Sequence, residues 1–200
     1  MLDWLELFGV ATCLLYIVLE IKQRTIMWVV GFISSAVYMI EFFRRSFYAM
    51  SALNVYYMAA SIYGIYCWRF ATSDYAGNDD TGKAQRAVTR LKLPLAVVLA
   101  FISVILFAVI AYILKNTPDS AAPFCEAFVV ALSIVATWML ARKIIEQWIL
   151  WIIVNFFSSA LYLWSEMYPT SGLYVIYGIM SVVGWFEWKR SINKQYCQTR

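Results

Sequence analysis

Two stretches of this chain carry the same residues in the same order. Leu53, Tyr57, Ser61, Gly64 and Trp68 recur as Leu173, Tyr177, Ser181, Gly184 and Trp188, an offset of 120, and each set is followed by a basic residue, Arg69 or Lys189. A second pattern upstream, Phe32, Ser34, Ser35, Ala36 and Tyr38, matches Phe156, Ser158, Ser159, Ala160 and Tyr162 at an offset of 124. The two offsets predict a connection four residues shorter in the later copy. A duplicated chain is confined to folds in which one unit can be laid down twice. Nearly everything between the matches is apolar, so the unit is expected to be a group of membrane helices.

Of the 200 residues, 63% are hydrophobic and 14% charged. The apolar residues fall into seven runs near the length needed to cross a bilayer, roughly Trp4–Leu19, Ile26–Phe43, Tyr48–Trp68, Leu95–Leu114, Phe124–Ala141, Trp148–Trp164 and Thr170–Phe186. Backbone exposed to lipid must satisfy its own hydrogen bonds, and the runs are too long for barrel strands, so all seven are expected to be α-helices. The first run has no basic residues before it and no small-residue cleavage site after it, which argues against a removed signal peptide.

Seven crossings divide the Lys and Arg residues very unevenly. Arg44, Arg45 and Lys115 fall on the N-terminal side, and the other thirteen fall on the opposite side. The positive-inside rule then puts the N-terminus outside and the C-terminus in the cytoplasm. Topology alone accounts for the basic balance, and no nucleic-acid partner is expected.

The organisation predicted from these observations is an all-α integral membrane protein of seven transmembrane helices in a 3+1+3 plan. Residues 1–70 form a first three-helix repeat, 71–93 a polar cytoplasmic linker, 94–115 a spacer helix opened by Pro94, 116–188 a second repeat and 189–200 a basic cytoplasmic tail. Four crossings separate corresponding helices, so the repeats are parallel, as in the SWEET arrangement of transporters.

Chemistry has few places to live. There is no histidine. Glu6, Glu20, Glu41, Glu126, Glu146, Glu166 and Glu187 lie near span ends, where they are expected to reach water, and Glu41 is expected to pair with Arg44 or Arg45. Gly77 to Ala84 in the linker imitates a phosphate-binding loop, but Ala84 lacks the hydroxyl such loops offer to Mg²⁺ and two aspartates would repel phosphate. The four cysteines have no metal-type spacing. No enzyme, metal or cofactor is expected.

A sharper constellation is Trp148, Trp151 and Asn155, at i, i+3 and i+7 on one face of the sixth span. Two indoles and an amide suit a flat, polar or cationic heteroaromatic ligand. The competing reading makes Trp148 an interfacial anchor and Asn155 a link to another helix. The third span offers Asn54, Tyr57 and Ser61 at the same spacing, and the seventh Tyr174, Tyr177 and Ser181. At an offset of 124, the counterparts of Trp148, Trp151 and Asn155 are Arg24, Met27 and Gly31, with Trp28 one residue out of register. Trp148, Trp151, Asn155, Asn54, Tyr57, Trp28, Ser61, Tyr174 and Tyr177 are therefore the candidate ligand-facing residues.

Ala141-Arg142-Lys143, Glu146-Gln147-Trp148-Ile149-Leu150-Trp151 and Asn155, with Ser61 to Gly64 ending at Trp68 and Gly184 to Trp188, resemble the PnuC family of bacterial vitamin transporters. The resemblance implies a homotrimer in the bacterial inner membrane that carries nicotinamide riboside by facilitated diffusion, with a cytoplasmic kinase trapping the imported vitamin. It also implies that Trp148, Trp151 and Asn155 line the substrate site. The family's third helix commonly carries Gln where this chain has Asn54. The segment Leu15 to Lys22 and the run Met27 to Gly31 are similar to a thiamine-carrying branch of the same architecture, PnuT. A membrane scaffold or receptor subunit, in which the aromatic residues only pack helices, is the non-transport alternative.

Overall fold

The computed structural model describes residues 4–44, 48–69, 76–78, 84–116, 122–164, 166 and 168–198. Seven helices appear among them: α1 Trp4–Ile21, α2 Ile26–Arg44, α3 Tyr48–Arg69, α4 Leu93–Lys115, α5 Pro123–Ala141, α6 Gln147–Trp164 and α7 Tyr168–Gln198. By length and composition α4, α5 and α6 are each able to cross a membrane, and Ile26–Ile40 of α2 is a shorter apolar helix. The seven helices follow the expected order, with two differences.

First, the linker is not featureless. β1 Ala76–Asn78 and β2 Ala84–Arg86 pair antiparallel, with Gly77 opposite Gln85. Beyond the hairpin, Thr89 forms a parallel bridge with Ile144, and the Leu91 amide donates to Glu146 Oε2 at 2.8 Å. Glu146, expected to face water, is thus engaged as an acceptor for the linker backbone. The segment 79–83 of the imitation phosphate loop, and the expected pairing of Glu41 with Arg44 or Arg45, lie outside the described residues. Second, α7 runs past the apolar stretch to Gln198, because nothing from Trp188 onward, neither Gly nor Pro, stops a helix.

The chain resolves into two compact units. One holds Met1–Ala87 with Ala141–Lys143 and Ser191–Arg200, and the other holds Val88–Leu140 with Ile144–Arg190. In the first unit α2 packs chiefly on α3 and also on α1. Gly31 meets the Tyr16 ring, and Gly64 takes the Trp28 indole so closely that a Cβ there would lie 2.3 Å from it. In the second unit α4 contributes Leu99 to a core shared with Val135, Met139 and Ile144. Leu95 and Leu106 pack on that core and Ala111 is buried, while Phe101, Val104, Tyr112 and most of the other α4 side chains are exposed apolar surface, as a lipid-facing helix requires.

Three hydroxyls of α4 and α5 are consumed within their own helices. Ser103, Ser133 and Thr137 each donate to the carbonyl four residues earlier at 2.8 Å. Cys67 and Cys125 are free thiols.

The structure corrects the repeat register. The turn entering α2 has Arg24 N–H on Leu19 O (2.9 Å), Met27 N–H on Arg24 O (3.0 Å) and Trp28 N–H on Thr25 O (3.1 Å). The turn entering α6 has Ile144 on Met139 (3.0 Å), Gln147 on Ile144 (3.2 Å) and Trp148 on Ile145 (3.1 Å). Each bond has its counterpart 120 residues on. So do the left-handed residues at the apex, Gln23 (φ 54°) and Lys143 (φ 52°). The offset of 124 and the shortened connection are therefore wrong. A shift of four residues turns a helix by only about 40°, so small residues on a packing face match almost as well one turn out of place. In the corrected register Trp148 corresponds to Trp28, Trp151 to Gly31 and Asn155 to Ser35.

Candidate functional site

The two tryptophans that share a register have the same surroundings. Trp28 meets Trp68 edge-on, with ring centroids 5.7 Å apart and planes at 90°; Trp148 meets Trp188 at 5.6 Å and 86°. Gly64 lies under Trp28, and Gly184 under Trp148, where a Cβ would stand 2.5 Å from the ring. Both indoles are sealed, at 1% and 0% exposure. Trp148 and Trp28, expected to face a ligand, are instead buried against α7 and α3 respectively. Trp148 is not an interfacial anchor either.

Deeper along α6 the chemistry changes. Asn155 is buried, and its Nδ2 donates to Ser181 Oγ of α7 at 3.2 Å. Ser181 in turn donates to Tyr177 O at 2.8 Å. Because the serine's single proton is committed to that carbonyl, Ser181 can only accept from Asn155, which fixes the amide's orientation and turns Oδ1 away as an acceptor. One turn earlier, Trp151 is partly buried and its Nε1 has no hydrogen-bond partner among the described residues. A donor and an acceptor thus stand a turn apart on one face of α6.

Aromatic rings continue this face. Tyr174 packs edge-on against Tyr177 at 6.0 Å and is stacked on Tyr162 at 5.2 Å with planes 28° apart. Across the level of this stack, Ser159 and Ser171 bond reciprocally: each hydroxyl donates to the other's carbonyl, at 3.1 and 2.9 Å, with the two hydroxyl oxygens 3.0 Å apart. Spacing singled out Tyr174 and Tyr177 but not Tyr162, whose position seven residues after Asn155 would have revealed it.

The first unit repeats part of this arrangement. Ser61 is buried and donates to Tyr57 O at 2.8 Å, the counterpart of Ser181 and Tyr177. Tyr57 packs against Tyr56 at 5.5 Å, and Asn54 is half-buried one turn before Tyr57. No amide faces Ser61 in register, since Ser35 takes the place of Asn155.

The basic residues of the α5–α6 turn lie in the first unit. Arg142 Nε donates to the Tyr63 hydroxyl at 2.8 Å. Lys143 is buried, with Nζ 4.3 Å from the centre of the Trp68 ring and 3.5 Å from Gln23 Oε1. Glu20, expected to reach water, is 4% exposed in the same unit. No cluster of His, Cys, Asp and Glu fit for a metal occurs among the described residues.

Residues 3–190 match the sequence model of the family described as nicotinamide mononucleotide transporter. The chain belongs to that family. Among its relatives, the nicotinamide riboside transporter PnuC of Escherichia coli (strain K12) is 27% identical over 97% of this chain and 88% of its own length. The riboflavin/roseoflavin transporter RibM of Streptomyces davaonensis is 26% identical over 92% of this chain and 84% of its own. The crystal structure of the vitamin B3 transporter PnuC superposes with a TM-score of 0.74 at 25% identity, covering 96% of this chain and 83% of that one. The chain is therefore a multi-pass membrane protein of a vitamin-transporter family, as the sequence resemblance implied. Family and fold point to transport rather than catalysis.

Proposed function

We propose that this chain takes up nicotinamide riboside across the bacterial inner membrane by facilitated diffusion, with trapping by a cytoplasmic kinase. The observation that carries the reading is the oriented amide of Asn155 beside the unpartnered Nε1 of Trp151. A carboxamide on a flat ring presents one acceptor and one donor, the complement of that pair. Trp151 also supplies an aromatic face for a cationic ring. Tyr174, Tyr177 and Ser181 complete the contact surface of the second unit, and Trp148 holds α6 on α7 beneath it. In the first unit Asn54, Tyr57 and Ser61 are the proposed contacts, and Trp28 plays the packing part of Trp148.

The remaining features of the proposal are a parallel 3+1+3 repeat, a homotrimer, an outward N-terminus and a cytoplasmic C-terminus. The shared turn geometry at an offset of 120 supports the repeat, and the distribution of Lys and Arg supports the orientation.

Flavin transport is the second reading, favoured by the comparable identity to RibM. Thiamine is the third, since its cation suits the same aromatic surface. The test is equilibration of labelled nicotinamide riboside, riboflavin and thiamine into proteoliposomes without an ion gradient, for wild type and Asn155→Ala. Saturable entry of nicotinamide riboside that Asn155→Ala abolishes is expected. Entry of another vitamin reassigns the substrate, and no entry of any returns the scaffold alternative.

A further inference from the structure

We propose that Tyr162 is a specificity-determining residue that ends the ligand face of α6 and excludes ligands longer than a single ring carrying a pentose; this rests on the reading of that face as the vitamin site. Tyr162 stands on the same side of α6 as Trp151, Asn155 and Ser159. Its ring is stacked on Tyr174 of α7, so the two helices are bridged by aromatic surface at that level. A serine pair brackets the bridge, one serine a turn to either side of it along the antiparallel helices. Ser159 and Ser171, both buried, bond reciprocally three residues before Tyr162 and Tyr174 respectively, which draws the backbones together.

Helix packing alone does not call for this stack. In the corrected register the first repeat has Phe42 and Asn54 where the second has Tyr162 and Tyr174, and Met39 where the second has Ser159. The Trp–Gly–Trp contact and the hydroxyl-to-carbonyl bond of Ser61 or Ser181 are kept in both copies. The stack and the serine pair occur in the copy that also has Asn155 and Trp151. Seven residues of helix separate Asn155 from Tyr162, about 10 Å. A six-membered ring anchored at Asn155 and its pentose fit within that length. Three fused rings with a polyol chain would run into the Tyr162–Tyr174 stack.

The test compares binding of nicotinamide riboside and riboflavin to purified wild type, Tyr162→Phe, Tyr162→Ala and Tyr162→Leu. The last keeps an apolar side chain in the helix interface but is shorter and has no ring to stack on Tyr174, and it decides the matter if the alanine variant does not fold. Expected is that both non-aromatic variants tighten riboflavin binding about ten-fold or more relative to nicotinamide riboside, whose own affinity changes less than three-fold, while Tyr162→Phe keeps the wild-type ratio. An unchanged ratio in the non-aromatic variants, or a wild type that already prefers riboflavin, overturns the role of Tyr162 and leaves the site standing. A wild type that binds neither ligand overturns the site reading itself, and the role of Tyr162 with it.

Discussion

Ser181 shows how much one proton can determine. With its hydroxyl committed to Tyr177 O, it holds the Asn155 amide in one of two orientations. Ser181→Ala frees the amide to turn, and about a three- to ten-fold weaker Kd for nicotinamide riboside is expected by calorimetry, the worth of one hydrogen bond. Lys143 supplies a second prediction. Its φ of 52° is a conformation that glycine adopts without cost and alanine does not. Lys143→Ala and Lys143→Gly both lose the ammonium over Trp68, but the glycine variant should be the more stable by about 1 kcal/mol. That is the reverse of their order in a helix, and melting in detergent would read it. Spacing made Trp151 and Asn155 legible as one face of α6. It could not say which rings are covered, because the lid over Trp148 is the absence of a side chain at Gly184, a residue of another helix.

At the scale of elements, hydropathy located the helices, since a lipid-exposed backbone leaves no other structure for runs of that length. It missed the β1–β2 hairpin, whose three-residue strands carry no apolar alternation, and the extension of α7, which is polar. Close contact between helices is where the elements can be tested. At Gly64 or Gly184 an alanine methyl would collide with an indole ring, so Gly64→Ala and Gly184→Ala should each destabilise by about 1–3 kcal/mol. The two costs should be alike, since the surroundings are alike. Ser159 and Ser171 behave differently: in a double-mutant cycle of alanine substitutions, a coupling of about 0.6–1.7 kcal/mol is expected from thermal melting. Additive effects would mean that each serine bonds independently.

For the whole molecule, the decisive sequence signals were duplication and charge asymmetry. The first was legible in residue identities but misread in register, because a helix resembles itself after one turn; backbone hydrogen bonds in the turns resolved what side-chain letters could not. The second yields a topology that can be checked directly. Single cysteines at Asn116 and Ser191, in a chain whose four native cysteines have been replaced, should be labelled from opposite sides of an intact cell membrane by an impermeant maleimide, Asn116 from outside.

The common offset of 120 also bears on how such a chain can change. A protein assembled from two identical subunits must alter both whenever it alters one. Once the unit is written twice in a single chain, that bond is broken: one copy has Gly31 and Ser35 where the other has Trp151 and Asn155, while the turns, the glycines and the paired indoles stay in step. In the repeat proposed above, the turns and close contacts stay in step while the chemistry of the facing positions is free to differ.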